Sequence, residues 1–159
     1  MNKTPLPSQE LVEKIGILAS EYEMRYHGCA QCVLAALQEG FGIADKLTFK
    51  AATGLSGVAR MGETCGALIG GLLVIGMIFG RESLEEAPKS ERYQKTMDIS
   101  SILIHEFNKE LVVQNEKIYR RSYLGGILTS TILNSVKNLL FQEHIINMVA
   151  HQLLKKQQS

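Results

Sequence analysis

The sequence predicts an all-α domain, a small helical bundle around one glycine-rich apolar helix at residues 64–79. Apolar residues recur at intervals of three and four in several segments, which is the spacing that gives a helix one apolar face. No segment shows the alternation of apolar and polar residues that is typical of a half-buried strand. The run from Cys65 to Gly80 is apolar on every side, so we expect other helices to enclose it.

The other helices are predicted from start and stop signals as well as from spacing. Ser8 is expected to cap a first helix, whose apolar face would be formed by Leu11, Val12, Ile15, Leu18 and Tyr22. A second helix is expected from Cys29 to Glu39, ended by Gly40, and a short one from Thr48 to Thr53. A long helix is expected from Ser90 to about Arg121, with buried candidates Tyr93, Met97, Leu103, Phe107 and Leu111.

Length, charge and cysteine count limit the class of protein. A chain of 159 residues is one domain, or one domain with an appendage. The formal net charge of +1, without an evident basic face, argues against binding to nucleic acid. An odd count of three cysteines and a polar N-terminus argue against a secreted disulfide framework. We therefore expect a cytoplasmic protein whose thiols are free, metal-bound or redox-cycling.

The apolar run in the predicted helix 64–79 raises the alternative of a membrane span. A spanning helix needs about 20 consecutive apolar residues. This run is shorter, and the charged residues Arg60, Glu63 and Arg81 flank it. We therefore expect no membrane span.

Thr64 is expected to cap the glycine-rich helix, because its hydroxyl can accept a hydrogen bond from a backbone N–H of the first turn. Cys65 would then occupy the first helical position, where the helix dipole favours a thiolate. This makes Cys65 a candidate reactive cysteine.

Four glycines around this helix are candidate cofactor-binding residues. Gly57 and Gly62 lie in the loop before the helix, and Gly66 and Gly70 form a smooth stripe along it. Such a stripe lets another backbone, or a flat cofactor, approach closely. Because glycine in a helix costs up to about 1 kcal/mol relative to alanine, its repeated use indicates that close approach is needed.

Cys29 and Cys32 form a C-x-x-C segment at the start of the second helix. Residues three apart share a helix face, so both sulfurs can point to one site. Such a dithiol can cycle to a disulfide or supply thiolates to a soft metal or an iron–sulfur cluster. With Cys65 these are the candidate catalytic residues and metal ligands, and His27 is the candidate fourth ligand. The alternative is that Cys32 is merely a small buried residue.

These motifs resemble the C_GCAxxG_C_C family, whose members are suspected of redox activity. The resemblance covers about residues 8–110 and rests on Gly28-Cys29-Ala30-Gln31, the loop from Gly54 to Gly62, and Cys65-Gly66-Ala67-Leu68-Ile69-Gly70. It implies a small helical cytoplasmic domain in which Cys29 and Cys65 match the family's first two cysteines. The family is also similar to the non-haem part of certain dimeric cytochromes, which implies a homodimer.

The C-terminal part departs from the family pattern. Two further cysteines are expected after the long helix, and none occurs beyond Cys65. We therefore divide the chain into a cysteine-motif domain, residues 1–121, and a tail, residues 122–159, that we interpret as a frameshift product. Codons for residues 147–159 read two bases later can give YGCPPVVEKAAK, which is similar to the family's usual ending. The alternative is a genuine C-terminal helical hairpin.

Two hypotheses of function follow from the sequence. In the first, Cys29, Cys32 and Cys65 converge as redox thiols or metal ligands, and the glycine loop admits a small electron carrier, a cluster or a substrate. In the second, the protein is a non-catalytic helical module whose Gly66/Gly70 stripe is a dimer surface and whose cysteines are structural. Cys29 and Cys65 are expected to approach one another, because each opens a helix beside a glycine-containing break.

Overall fold

The computed structural model of the chain describes residues 9–86 and 90–113. Every regular element in these residues is helical, which confirms the all-α prediction. The helices are α1 (Gln9–Tyr26), α2 (Cys29–Phe41), α3 (Lys46–Ala51), α4 (Gly66–Phe79) and α5 (Glu91–Val113). The predicted cap Ser8 and the predicted tail lie outside the described residues.

Two observed boundaries, the end of α2 and the start of α3, differ from the predicted ones. Gly40 does not end α2 but lies inside it, where its backbone packs against the side chain of Ile15. The helix ends instead at Gly42, whose φ of 65° is left-handed and therefore suits glycine. Helix α3 begins earlier than Thr48, because the Asp45 carboxylate accepts a hydrogen bond of 2.9 Å from the backbone N–H of Leu47 and so caps the helix.

Helices α1, α2, α4 and α5 pack in that order, each mainly against the next. The contact between α2 and α4 is the most extensive. The expectation that other helices enclose α4 on every side is wrong, because α2 and α5 pack against it while α1 packs mainly on α2. One side of α4 therefore keeps Leu72 and Leu73 half-buried and Gly76 exposed.

The core lies where these four helices meet. Its buried apolar members include Val12, Ile15, Ala19, Val33, Leu34, Ala36, Leu37, Ala67, Leu68, Val74, Ile75, Ile78, Phe79, Ile99, Leu103 and Phe107. Among residues 91–109 of α5, the buried residues are Thr96, Ile99, Leu103 and Phe107, which follow the spacing of one helix face. Met97 was expected among them but is 42% exposed, because it lies one residue away from that face.

Between α3 and α4 the chain forms a 3-10 turn, Ala52–Leu55, and then one left-handed turn, Gly57–Arg60. The φ angles of Val58 and Ala59 are 48° and 54°. A left-handed conformation costs roughly 1–2 kcal/mol for each residue that has a Cβ atom. The segment that leads to α4 is therefore strained, as backbone at functional sites often is.

Candidate thiol site

A tight connection between α1 and α2 places Cys29 at the first residue of α2. His27 and Gly28 both have left-handed backbones, with φ of 56° and 100°. These two residues reverse the chain and bring the end of α1 beside the start of α2. The N-terminal turn of a helix has backbone N–H groups without intrahelical partners, and these groups favour a thiolate there.

Cys65 lies at the start of α4, at the cap position and not at the predicted first helical position. Its extended backbone, with φ of −60° and ψ of 124°, makes it the residue that precedes the first helical one. The helix itself begins at Gly66, and Thr64 is exposed and does not cap it. The predicted capping by Thr64 is therefore wrong, because Cys65 occupies the cap position.

The two helix starts meet at Gly66. A Cβ atom on Gly66 would lie 2.5 Å from the Sγ of Cys29 and 2.9 Å from the backbone nitrogen of Ala30. A Cβ atom on Gly70 would lie 2.6 Å from the carbonyl oxygen of Ala30 and 3.2 Å from the backbone nitrogen of Leu34. The glycine stripe was expected to admit either another backbone or a flat cofactor. The structure shows a backbone there, that of α2.

Cys29 and Cys65 interact directly at this junction. A hydrogen bond from the Cys65 thiol, opposed by burial and by the charge of Glu23, lowers the pKa of Cys29 to about 6. The same interaction, together with burial, raises the pKa of the Cys65 thiol. The backbone N–H of Gly66 also favours the Cys29 thiolate. The interaction between the two thiols therefore favours the thiolate on Cys29 and the proton on Cys65, and the expected approach of the two cysteines is observed.

Cys32 differs from Cys29 although the C-x-x-C spacing groups them. It is only 4% exposed, and its thiol donates a hydrogen bond of 3.5 Å to the carbonyl oxygen of His27. Burial first, and then the charge of Glu23, raises the pKa of Cys32 to about 12. Cys32 therefore remains protonated near neutral pH, which fits a buried thiol better than a nucleophile.

Two further residues at the site, Glu23 and Ser56, were not predicted from the sequence. The Oε2 of Glu23 and the Oγ of Ser56 are both buried and make no hydrogen bond. Ser56 nevertheless lies near enough to Cys29 to favour its thiolate. Glu23 had a detectable signal, because it continues the helical spacing of the buried residues Val12, Ile15 and Ala19. No sequence signal singles out Ser56.

The remaining predicted site residues are His27, Gly57 and Gly62. The side chain of His27 is exposed, and the backbone N–H of Gly62 donates a hydrogen bond of 3.0 Å to the carbonyl oxygen of Gly57. In residues 9–86 and 90–113, no three His, Cys, Asp or Glu side chains are grouped so that they could hold a metal ion. The predicted ligand set therefore has no support there, and we treat the cysteines as thiols.

The fold and this site define a helical domain with a pair of interacting thiols at two helix starts. A sequence profile described as "Putative redox-active protein (C_GCAxxG_C_C)" matches residues 27–146. The chain belongs to this family. The matched range begins and ends later than the predicted range of 8–110. No curated protein and no solved structure matches the chain.

Family membership does not by itself assign the cysteines of this chain to positions in the family pattern. The correspondence of Cys29 and Cys65 to the family's first two cysteines stays a prediction, and no cysteine follows Cys65 in the sequence. The match extends into residues 122–146, part of the predicted tail. The division at residue 121 and the frameshift interpretation concern residues outside the described ones, and both stay predictions.

A membrane span was not expected. In the part of the chain that the structure describes, none of the helices combines the length and the apolar character that crossing a membrane requires.

Proposed function

We propose that this protein performs thiol–disulfide redox chemistry with Cys29 and Cys65 as the reactive pair. The observation that carries the proposal is the meeting of two helix starts at Gly66, which puts the more acidic thiol of Cys29 against the thiol of Cys65. Membership in a family associated with redox activity supports the same chemistry. Thiolates rather than thiols are the nucleophiles in disulfide exchange, so Cys29 is the residue that reacts first.

The proposed reaction starts with a disulfide substrate, RSSR. The Cys29 thiolate attacks one sulfur, which forms a Cys29–SR mixed disulfide and releases RS⁻. Cys65 then transfers its proton to the released RS⁻, giving RSH, and attacks the sulfur of Cys29. This second step forms the Cys29–Cys65 disulfide and releases a second RS⁻, so two electrons pass from the protein to the substrate. The reverse sequence would reduce the protein and oxidise a dithiol.

The partner in this proposal is a disulfide or dithiol, either a small molecule or a group on a small electron carrier. Cytoplasmic conditions would keep the pair reduced between reactions. A homodimer is not required for this chemistry, because one chain supplies both thiols. Cys32 has no step in the reaction, since its thiol is buried and holds its proton.

Alkylation of the reduced protein tests the reactivity of Cys29. We expect the rate of iodoacetamide modification at Cys29, followed by peptide mass spectrometry, to rise with pH around a midpoint near the pKa of about 6. Cys65→Ala should move this midpoint to higher pH, because it removes the hydrogen bond that favours the thiolate. Cys32→Ala should leave the midpoint unchanged, since Cys32 does not stabilise the Cys29 thiolate.

Oxidation of the same three proteins with oxidised dithiothreitol tests the pairing. Peptide mapping should find a Cys29–Cys65 disulfide in the wild type and in Cys32→Ala, and none in Cys65→Ala. Slow alkylation at pH 7, together with failure to form this disulfide, would instead support the non-catalytic helical module. If the only disulfide found joins Cys29 to Cys32, the proposed reactive pair of Cys29 and Cys65 is wrong.

A further inference from the structure

A short stretch of backbone between α3 and α4 lies against the thiol pair. It consists of the 3-10 turn Ala52–Leu55 and of Ser56, and is called the 52–56 stretch below. A Cβ atom on Gly66 would lie 2.5 Å from the Sγ of Cys29 and 2.9 Å from the Cα of Ser56. The backbone of Ser56 therefore runs directly beside the sulfur of Cys29. A disulfide that bonds to this sulfur needs room for its own sulfurs and their substituents, and the close packing of Gly66 leaves little.

One side chain of α2 joins the 52–56 stretch to the helix that carries Cys29. The Nε2 of Gln31 donates hydrogen bonds of 3.0 Å to the carbonyl oxygen of Phe49 and to the hydroxyl of Thr53. The Thr53 hydroxyl in turn donates a hydrogen bond of 2.7 Å to the carbonyl oxygen of Lys50. A single amide group thus links α2 to the end of α3 and to the 3-10 turn, close to the thiol pair.

Little apolar burial opposes a movement of the 52–56 stretch away from the thiols. Helix α3 contains no buried residue, and Ala52 is the buried residue of the 3-10 turn. Leu55 and Ser56 are half-buried, and the two hydrogen bonds from Gln31 are exposed to solvent. A segment with few buried apolar contacts and exposed hydrogen bonds opens locally at a lower free energy than the core does. The loss of the Gln31 amide should therefore favour the open state.

We propose that the 52–56 stretch is a lid over Cys29 and Cys65, that Gln31 holds it closed, and that its opening admits the substrate disulfide. This control of access rests on the proposed function, whereas the opening itself does not. Gln31 is a positioning residue, because it acts by holding the lid and does not touch the substrate. The rate of disulfide exchange depends on access to the attacked and attacking sulfurs, so the lid selects against bulky partners while it is closed.

Two maleimides of different size measure the opening. N-ethylmaleimide and the larger fluorescein maleimide share one reactive group, so a change in the ionisation of a thiol affects both rates and cancels in their ratio. Peptide mass spectrometry gives the rate at each cysteine. In Gln31→Ala we expect the ratio of the bulky to the small reagent's rate to rise about fivefold at Cys29 and Cys65, which is the change in an opening equilibrium that the loss of one ordinary hydrogen bond produces.

Cys32 is the internal control for a general loss of stability. It is 4% exposed, and its thiol donates a hydrogen bond of 3.5 Å to the carbonyl oxygen of His27 in the α1–α2 connection. Opening of the lid leaves this contact in place, so the ratio at Cys32 should match the wild type. A rise of the same size at all three cysteines would mean that Gln31→Ala loosens the whole domain, and would overturn the proposal.

Tyr22→Phe is the matched control variant. It removes one exposed hydrogen bond between two elements, the bond of 2.7 Å from the Tyr22 hydroxyl to the carboxylate of Glu39, which joins α1 to α2. Because this bond does not hold the lid, the ratios at all cysteines should match the wild type. If Gln31→Ala also leaves the ratio at Cys29 unchanged, the 52–56 stretch is a fixed wall of the site and the proposal is wrong.

Low concentrations of urea test the lid in the wild-type chain, which covers the case in which Gln31→Ala does not fold. The urea dependence of an opening increases with the surface that the opening exposes, and a lid exposes much less than global unfolding does. We expect the rates with fluorescein maleimide at Cys29 and Cys65 to rise less steeply with urea than the rate at Cys32. Equal slopes at all three would contradict the lid. Neither measurement needs a disulfide, so failure to form the Cys29–Cys65 disulfide would refute the proposed function alone.

Discussion

The crossing of α2 and α4 and the segment between Asp45 and Thr64 are held together in different ways. At the crossing, glycine backbone lies against helix backbone, and apolar side chains such as Leu34 are fully buried, with 0% exposure. In the segment, α3 contains no buried residue, and Leu47 is 78% exposed. Hydrogen bonds hold the segment instead, among them those from the Gln31 amide to the carbonyl oxygen of Phe49 and the hydroxyl of Thr53, both 3.0 Å long.

This difference matters because the thiol pair lies at the border between the two regions. The helix starts fix Cys29 and Cys65 through close packing, which a small change in volume disturbs. The segment contributes Ser56, whose hydroxyl favours the Cys29 thiolate, yet it buries little apolar surface. We infer that the crossing fixes the positions of the two thiols. The segment is the part that can open locally at low cost in free energy.

The largest expected difference in stability is between two leucine-to-alanine variants, one at the crossing and one in the segment. Leu34→Ala should lower the free energy of unfolding by about 2–5 kcal/mol, because it removes a fully buried side chain and leaves a cavity. Leu47→Ala should change it by less than about 0.5 kcal/mol, because that side chain is exposed. Urea denaturation of both variants measures the contrast, and similar losses would contradict the division into two regions.

Substitutions of glycines on the two sides of α4 should change the free energy of unfolding in different directions. Gly70→Leu should cost about 1–3 kcal/mol, because its side chain would have to displace α2. Gly76→Ala should be neutral or stabilise by up to about 1 kcal/mol, since a Cβ atom there meets nothing within 4 Å and alanine favours the helix. Thermal or chemical unfolding would measure both changes. If Gly70→Leu leaves the free energy of unfolding unchanged, α2 and α4 pack less closely at Gly70 than the structure shows.

The smallest expected effect tests the strain in the left-handed turn. Val58→Gly should raise the free energy of unfolding by up to about 1 kcal/mol, because glycine relieves the cost of a β-branched residue at a φ of 48°. Ala35→Gly in α2 is the control for the added backbone freedom and should cost about 1 kcal/mol. If both variants lose stability equally in chemical denaturation, the turn is not strained in solution.

Several features could be predicted from the sequence because they depend on local order along the chain. Helical spacing and turn residues place the starts of α2, α3, α4 and α5 to within two residues, and α4, predicted at 64–79, is observed as Gly66–Phe79. The predicted end of the long helix at about Arg121 lies outside the described residues. The glycine stripe indicates close backbone approach because glycine in a helix is otherwise unfavourable. The two motifs around Cys29 and Cys65 are enough to identify the family, since those residues are contiguous in each motif.

Other features were decided only by the packing of helices against each other. The sequence groups Cys29 with both Cys32 and Cys65, and only the crossing at Gly66 shows that Cys65 is its partner while Cys32 is buried. Glu23 joins the thiols only because the α1–α2 connection reverses the chain. The pKa of a thiol depends on its burial and on charges a few ångströms away, and those distances lie between helices rather than along one. The sequence thus determined which residues are candidates for the site, and the tertiary structure decided the direction in which the pKa of each thiol is shifted.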